Sequence, residues 1–318
     1  MQAFLIRRVL ALIPTLIGAT LLVFLIMRVV PGDITSMLSG AGPGEKIDPE
    51  ELARLREELG IDRPLYVQYV TWLIGIPKGD LGDSLWNRMP VKGEIFHRFP
   101  ITMQMAIMAA TLGFLFGLPL GIVSALRRGT WIDLLSRLVS IMFLAAPTFW
   151  LGLLVLTFLR RTFNWIPPLG FNLLWENPGD NLAQLIFPAL IIASHLMAIV
   201  ARMSRSTMLE VLREDYIRTA RAKGLPESTV IIRHVLKNSM IPVITIVSLS
   251  VGSLLAGAVV MERVFSIPGI GLYLLESITN RDYTAVQALV LIFAAIFVVI
   301  NLLTDITYGW LDPRISRH

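Results

Sequence analysis

Ile101-Thr102-Met103-Gln104-Met105-Ala106-Ile107-Met108-Ala109-Ala110-Thr111-Leu112-Gly113-Phe114-Leu115-Phe116-Gly117-Leu118-Pro119-Leu120-Gly121-Ile122-Val123-Ser124-Ala125-Leu126 contains no charged side chain. A helix crossing the hydrocarbon of a bilayer needs roughly 20 apolar residues, and this run exceeds that length. Five more runs follow the same rule: Val9–Met27, Leu138–Leu159, Leu185–Ala201, Ile241–Met261 and Thr284–Thr304. The composition agrees. Of 318 residues, 55% are hydrophobic and only 16% charged, against about 25% charged in an ordinary soluble domain. The expected fold is an all-α integral membrane protein with six transmembrane helices.

Six spans place both tails on one side, and the basic residues choose which. Arg7, Arg8, Arg127, Arg128 and Arg137 stand with the basic run from Arg202 to Lys237 on one set of connections. With the tails, that set carries a net +8 and the other set −3, which together make the chain's +5. Lysine and arginine are retained on the cytoplasmic side of spans, so both termini are expected in the cytoplasm. The same asymmetry accounts for a pI near 9.7 without nucleic acid. The organisation then reads as a tail with the first span (1–30), an external helical domain (31–100), a five-helix core (101–309) holding a cytoplasmic loop (202–240), and a short tail (310–318). In the external domain, Asp48-Pro49-Glu50-Glu51 has the form of a helix start, and Leu52, Leu55 and Leu59 mark its apolar stripe up to Gly60. Leu65–Ile76, with Tyr66, Tyr69 and Trp72, suits a membrane interface.

Several chemistries are excluded. The chain has no cysteine and four scattered histidines, so thiolate catalysis, Cys-ligated zinc and a metal-binding His pair on one helix have no basis. No Gly-Lys dipeptide occurs, so no phosphate-binding loop with its lysine is present. No catalytic, cofactor-binding or metal-ligating residue is expected in this chain. An ion-driven secondary transporter would call for charged residues within the spans and a repeated half, and a membrane enzyme for a Ser/His or paired-acid constellation; neither pattern is found. Polar residues inside spans are costly, and Gln104, His195 and Asn301 are the candidates for lining a pathway, with interhelical hydrogen bonding as the plainer role.

The segment Arg202–Met240 is too polar to span. Glu214–Gly224 is expected to form a short helix on which Tyr216, Ala220 and Gly224 share a face open to another backbone. Arg218, Arg221 and Lys223 lie beside that face, Gly224 stops the helix and Pro226 prevents its continuation. A second amphipathic segment runs from Glu227 to Asn238, after which Pro242 opens the fifth span.

The run Asp215-Tyr216-Ile217-Arg218-Thr219-Ala220-Arg221-Ala222-Lys223-Gly224-Leu225, with Arg233-His234-Val235-Leu236-Lys237-Asn238 and Ile241-Pro242 after it, resembles the cytoplasmic coupling loop of permeases in the dipeptide/oligopeptide ABC importer family. Leu55-Arg56-Glu57-Glu58-Leu59-Gly60-Ile61-Asp62-Arg63-Pro64-Leu65, Gly79-Asp80-Leu81-Gly82, Val264-Phe265-Ser266-Ile267-Pro268-Gly269-Ile270-Gly271, Asn280-Arg281-Asp282-Tyr283 and Leu311-Asp312-Pro313-Arg314 resemble the same family. The short N-terminal tail and long first external segment resemble its B-type subunit. The resemblance implies the type I importer architecture and a place in a bacterial or archaeal cytoplasmic membrane. It implies a C-type permease partner, two cytoplasmic ATPases carrying ATP and Mg, and an external solute-binding protein. It gives the docking role on the ATPase to Asp215, Tyr216, Arg218, Thr219, Ala220, Arg221, Lys223 and Gly224. Peptides are the expected cargo, with oligosaccharides or metal chelates as the alternative on the same architecture.

Overall fold

The computed structural model describes residues 2–29, 49–58, 61–167 and 170–311. The expected helix start at Asp48, the stop at Gly60 and the run from Asp312 lie outside them, as do the side chains of Leu52, Leu55 and Leu59. The helices are α1 (Gln2–Val29), α2 (Pro49–Glu58), α3 (Leu65–Gly75), α4 (Val91–Leu126), α5 (Trp131–Ala145), α6 (Thr148–Phe163), α7 (Pro178–Val211), α8 (Asp215–Ala222), α9 (Glu227–Leu249), α10 (Val251–Phe265), α11 (Ile270–Thr279) and α12 (Tyr283–Leu311). Four of them, α4, α7, α9 and α12, are each long and apolar enough to cross a bilayer, and two bent helix pairs raise the number to as many as six.

The chain divides into two compact units, residues 1–100 with 269–299 and residues 101–268 with 300–318. In the first, α3 is held to α1 by Tyr69 and by the Arg28–Gln68 hydrogen bond. Tyr69 is buried, its hydroxyl donates to the Ile17 carbonyl at 3.0 Å and lies 3.0 Å from Thr20 Oγ1, and its ring packs on Phe24 at 5.1 Å. The start of α12 is fixed by Asp282, a buried carboxylate that accepts from Ala285 N–H at 3.2 Å as a helix cap does. The same carboxylate accepts from the Ser84 hydroxyl and from Leu85 N–H at 3.1 Å, which ties the loop before α4 to the entry of α12. Gly82 in that loop has φ +85°, and a Cβ there would stand 2.6 Å from Thr284 Cγ2.

The second unit is built around α7. Leu185, Ala189, Ile192, Leu196 and Val200 recur at helical spacing and are almost fully buried in one apolar core with Met105, Val243, Ala258 and Met261. α4 reaches α7 along a glycine ridge. A Cβ at Gly113 would lie 2.9 Å from Leu196 Cβ, at Gly117 2.7 Å from the Met197 carbonyl oxygen, and at Gly121 2.5 Å from that of Ala201. Only hydrogen fits at such a backbone-to-backbone approach, as in the small-residue contacts that join helices within membranes.

Two expected spans are not continuous. Leu138–Leu159 is a helix pair bent by 102°. Pro147 keeps Ala146 out of the helical region, at φ −79°, ψ 125°, so α5 ends there and α6 starts afresh. In place of Ile241–Met261, one helix runs from Glu227 to Leu249 and is interrupted at Ser250. Pro242 lies inside α9 and does not open it. At the interruption, the hydroxyls of Ser248, Ser250 and Ser253 each donate back to a carbonyl three or four residues earlier, a pattern that bends helices. The external connection expected from Glu262 also begins later: Glu262 is fully buried within α10 and accepts from the Thr102 hydroxyl.

Candidate functional site

The segment 202–240 folds as the end of α7, a turn, α8, a second turn and the start of α9. Glu214 precedes α8 in extended conformation, and the helix closes on Gly224 at φ +75°. Gly224 N–H donates to the Arg221 carbonyl at 2.9 Å and Leu225 N–H to that of Ala220 at 3.4 Å. This paired closure requires a left-handed residue at Gly224, the stop its position in the sequence announces. After Pro226 the chain re-enters a helix whose Val230–Leu236 section is wound with the wider π pitch.

One side of α8 belongs to the bundle. Ile217 and Ala220 are buried in a small core with Ala125 of α4, Met208 of α7, and Val230 and Val235 of α9. The expectation that Ala220 faces an incoming backbone is therefore corrected: its small side chain lets α8 lie close to this chain's own helices. The shared-face reading located the residue on the helix but could not say which neighbour the face meets. Tyr216 stands on the flank, 43% exposed, with its hydroxyl accepting from Asn238 Nδ2 at 3.1 Å.

The other side is polar and open. Asp215, Arg218, Thr219, Arg221, Lys223 and Gly224 are exposed. Arg218 Nη1 donates to Asp215 at 3.3 Å, and Arg221 grips Glu227 through Nε and Nη2 at 3.1 and 2.6 Å. The hydrogen bonds it donates to the Glu227 carboxylate hold the Arg221 guanidinium above its ordinary pKa. Arg221 thus fastens the two ends of the 223–226 turn, while Arg218 and Lys223 offer charge outward.

No hydrogen bond joins any two of the three residues considered for a pathway among the described residues. Gln104 exchanges amide hydrogen bonds with the buried Asn181, which also donates to the Asn172 carbonyl at 2.9 Å. His195 and Asn301 are half-buried. The sequence reading missed a polar centre near α8. Asp133, buried at the start of α5, accepts from Arg205 Nε and Nη2 at 2.7 and 2.9 Å, from the Ser124 hydroxyl at 2.7 Å and from Gly129 N–H at 3.0 Å. It also missed the glycine ridge, whose fourfold spacing at 113, 117 and 121 is a readable signal.

Residues 117–317 match the family described as "Binding-protein-dependent transport system inner membrane component", and residues 1–106 match its N-terminal counterpart, "Binding-prot-dependent transport system membrane comp, N-term". The dipeptide transport system permease protein DppB of Escherichia coli K12 is 39% identical, across 100% of this chain and 99% of that protein. The di/tripeptide transport system permease protein DppB of Pseudomonas aeruginosa is 40% identical with the same coverage. The glutathione transport system permease protein GsiC of Salmonella typhimurium is 38% identical, covering 99% of each. A solved chain of the MetNI methionine ABC transporter, in an inward-facing conformation, shares the fold with a TM-score of 0.56 at 16% identity, over 69% of this chain and 96% of that one. By sequence along its whole length, the chain belongs to the binding-protein-dependent transport system inner membrane component family, as a permease subunit.

Proposed function

We propose that this chain is the B-type half of the translocation pathway of an ATP-driven importer that takes up dipeptides or short oligopeptides across a bacterial inner membrane. Its termini and the segment 202–240 lie in the cytoplasm, and it crosses the membrane six times. A C-type permease completes the pathway, two ATPase subunits hold ATP and Mg, and an external solute-binding protein delivers the cargo. The names of the relatives support the peptide class.

One observation carries the reading: α8 presents an exposed polar face while its opposite face is built into the ends of α4, α7 and α9. An element fixed in this way can receive force from a partner and pass it to several spans, and the ATP-driven change between outward and inward access acts through it. Asp215, Arg218, Thr219, Arg221, Lys223 and Gly224 meet the ATPase directly. Tyr216 and Ala220 serve the contact by seating the helix. Charge-assisted pairs from Arg218 and Lys223 to acidic residues on the ATPase fix the register.

The test uses the absence of cysteine from the chain. Arg218→Cys supplies a single thiol, and a short bifunctional crosslinker in native membranes is expected to join it to an ATPase subunit, with nucleotide changing the yield. Labelling of that thiol from outside intact cells by a membrane-impermeant reagent, with no crosslink formed, overturns the reading.

A further inference from the structure

In the first unit a cavity of about 500 Å³ opens between the outer end of α1, α3 and the first turns of α12. Its chemistry is unlike that of a packing defect. Arg28, one residue from the end of α1, lays its guanidinium on the Phe24 ring at 3.6 Å and donates to Gln68 Oε1 at 2.6 Å. Gln68 is itself oriented, since its Nε2 donates to the Ile61 and Arg63 carbonyls at 2.8 and 2.7 Å. The guanidinium is thus held flat and half-buried, and no carboxylate pairs with it among the described residues. A fixed guanidinium with free N–H groups is the usual receptor for phosphate or carboxylate oxygen.

A second donor lines the same cavity: Gln287 is 4% exposed and its Nε2 has no acceptor. Arg63 and Arg88 also line it, as do Asp80 and Asp83, of which Asp80 accepts from Gly82 N–H at 2.9 Å.

The surroundings identify the occupant. Leu22, Leu25, Ile26 and Val29 form an exposed apolar stripe on α1 directly beside Arg28, and Tyr66, Val70 and Ile74 form another along one face of α3. A ligand suited to both surfaces has an anionic head and long apolar chains. We infer that this cavity binds the phosphate headgroup of a phospholipid of the outer leaflet, with Arg28 and Gln287 on the phosphate and an acyl chain along the α1 stripe. The inference rests on the proposed membrane location and orientation of α1 and not on the transport role, so the transport reading can fail without it.

The test is a titration of the delipidated full-length chain in detergent, with bound molecules counted by native mass spectrometry. Phosphatidylglycerol is expected to fill one saturable position, dioleoylglycerol, which lacks phosphate, is not, and Arg28→Gln is expected to weaken phosphatidylglycerol by about tenfold or more. Gln287→Leu, which leaves the guanidinium in place, weakens it by a smaller factor. Equal retention of both lipids by the wild-type chain overturns the inference without any variant. Undiminished retention by Arg28→Gln also overturns it. Retention of inorganic phosphate in competition with the lipid assigns the cavity to a soluble anion instead and overturns the lipid assignment.

Discussion

Arg205 near the end of α7 and Asp133 at the start of α5 form a bidentate ion pair, with Nε and Nη2 at 2.7 and 2.9 Å from the two carboxylate oxygens. Asp133 is buried, so its charge depends on this partner more than on water. Arg205→Gln is expected to destabilise the chain by about 1–3 kcal/mol, because it removes two charge-assisted hydrogen bonds from a buried carboxylate that keeps Ser124, Gly129 N–H and, at 3.6 Å, Arg137 Nε. Asp133→Asn combined with Arg205→Gln should recover most of the loss. Thermal unfolding of the purified variants in detergent checks both, and a double variant no better than the single one would show that the pair is not the cause.

The glycine ridge on α4 leaves no room for side chains. Gly121→Leu would place its Cβ 2.5 Å from the Ala201 carbonyl oxygen and 2.7 Å from Ser204 Cβ. The helices must then part, at a cost of about 1–3 kcal/mol or more. Gly129→Leu is the control, since nothing lies within 4 Å of a Cβ there and only its φ of +79° is strained. The monodisperse fraction after extraction should fall well below the control for Gly121→Leu.

On α8 the two faces predict different phenotypes. Ala220→Trp enters the core shared with Ile217, Met208 and Val230, and is expected to lower stability by about 1–3 kcal/mol as well as uptake. Arg218→Ala, at an exposed position, should leave stability within about 0.5 kcal/mol yet reduce uptake relative to ATP hydrolysis. Parallel measurement of unfolding temperature, ATPase rate and peptide uptake separates the two. Arg218→Ala with normal uptake would argue against the docking role.

Asp282 caps α12 and anchors the loop at Ser84. Asp282→Ala is expected to cost about 2 kcal/mol or more, combining loss of a cap with loss of two further hydrogen bonds, the one from Ser84 buried and the one from Leu85 partly so. Ser84→Ala removes one of these, together with the bonds its hydroxyl accepts from Trp86 and Asn87 N–H at 3.2 Å, but leaves the cap of α12 in place. Hydrogen exchange of the Leu85 and Ala285 amides should accelerate in Asp282→Ala far more than in Ser84→Ala.

Much of this was legible in the sequence. The apolar runs announced the helices because an uncharged run of membrane length has few other uses, and the Glu214–Gly224 helix was announced by its stop signals, which the structure realises in Asp215–Ala222 and the left-handed Gly224. Reading for apolar length alone passed over Pro147, although a proline disfavours the helical conformation of the residue before it. Helical spacing showed that Ala220 lies on a small-residue face, but which neighbour that face meets depends on residues as distant as Ala125. Asp133 and Arg205 are 72 positions apart, and nothing local to either marks the other as its partner. Gln104 and Asn181 are alike in this: the amide in one span was visible, its complement was not.

The wedging of Ile217 and Ala220 between Met208 and Val230 leaves α8 no axle of its own. Like a crank pin set through two webs, it is expected to turn only by carrying both neighbouring rods, so that a displacement imposed at Arg218 would reach the adjoining ends of α7 and α9 in the same stroke.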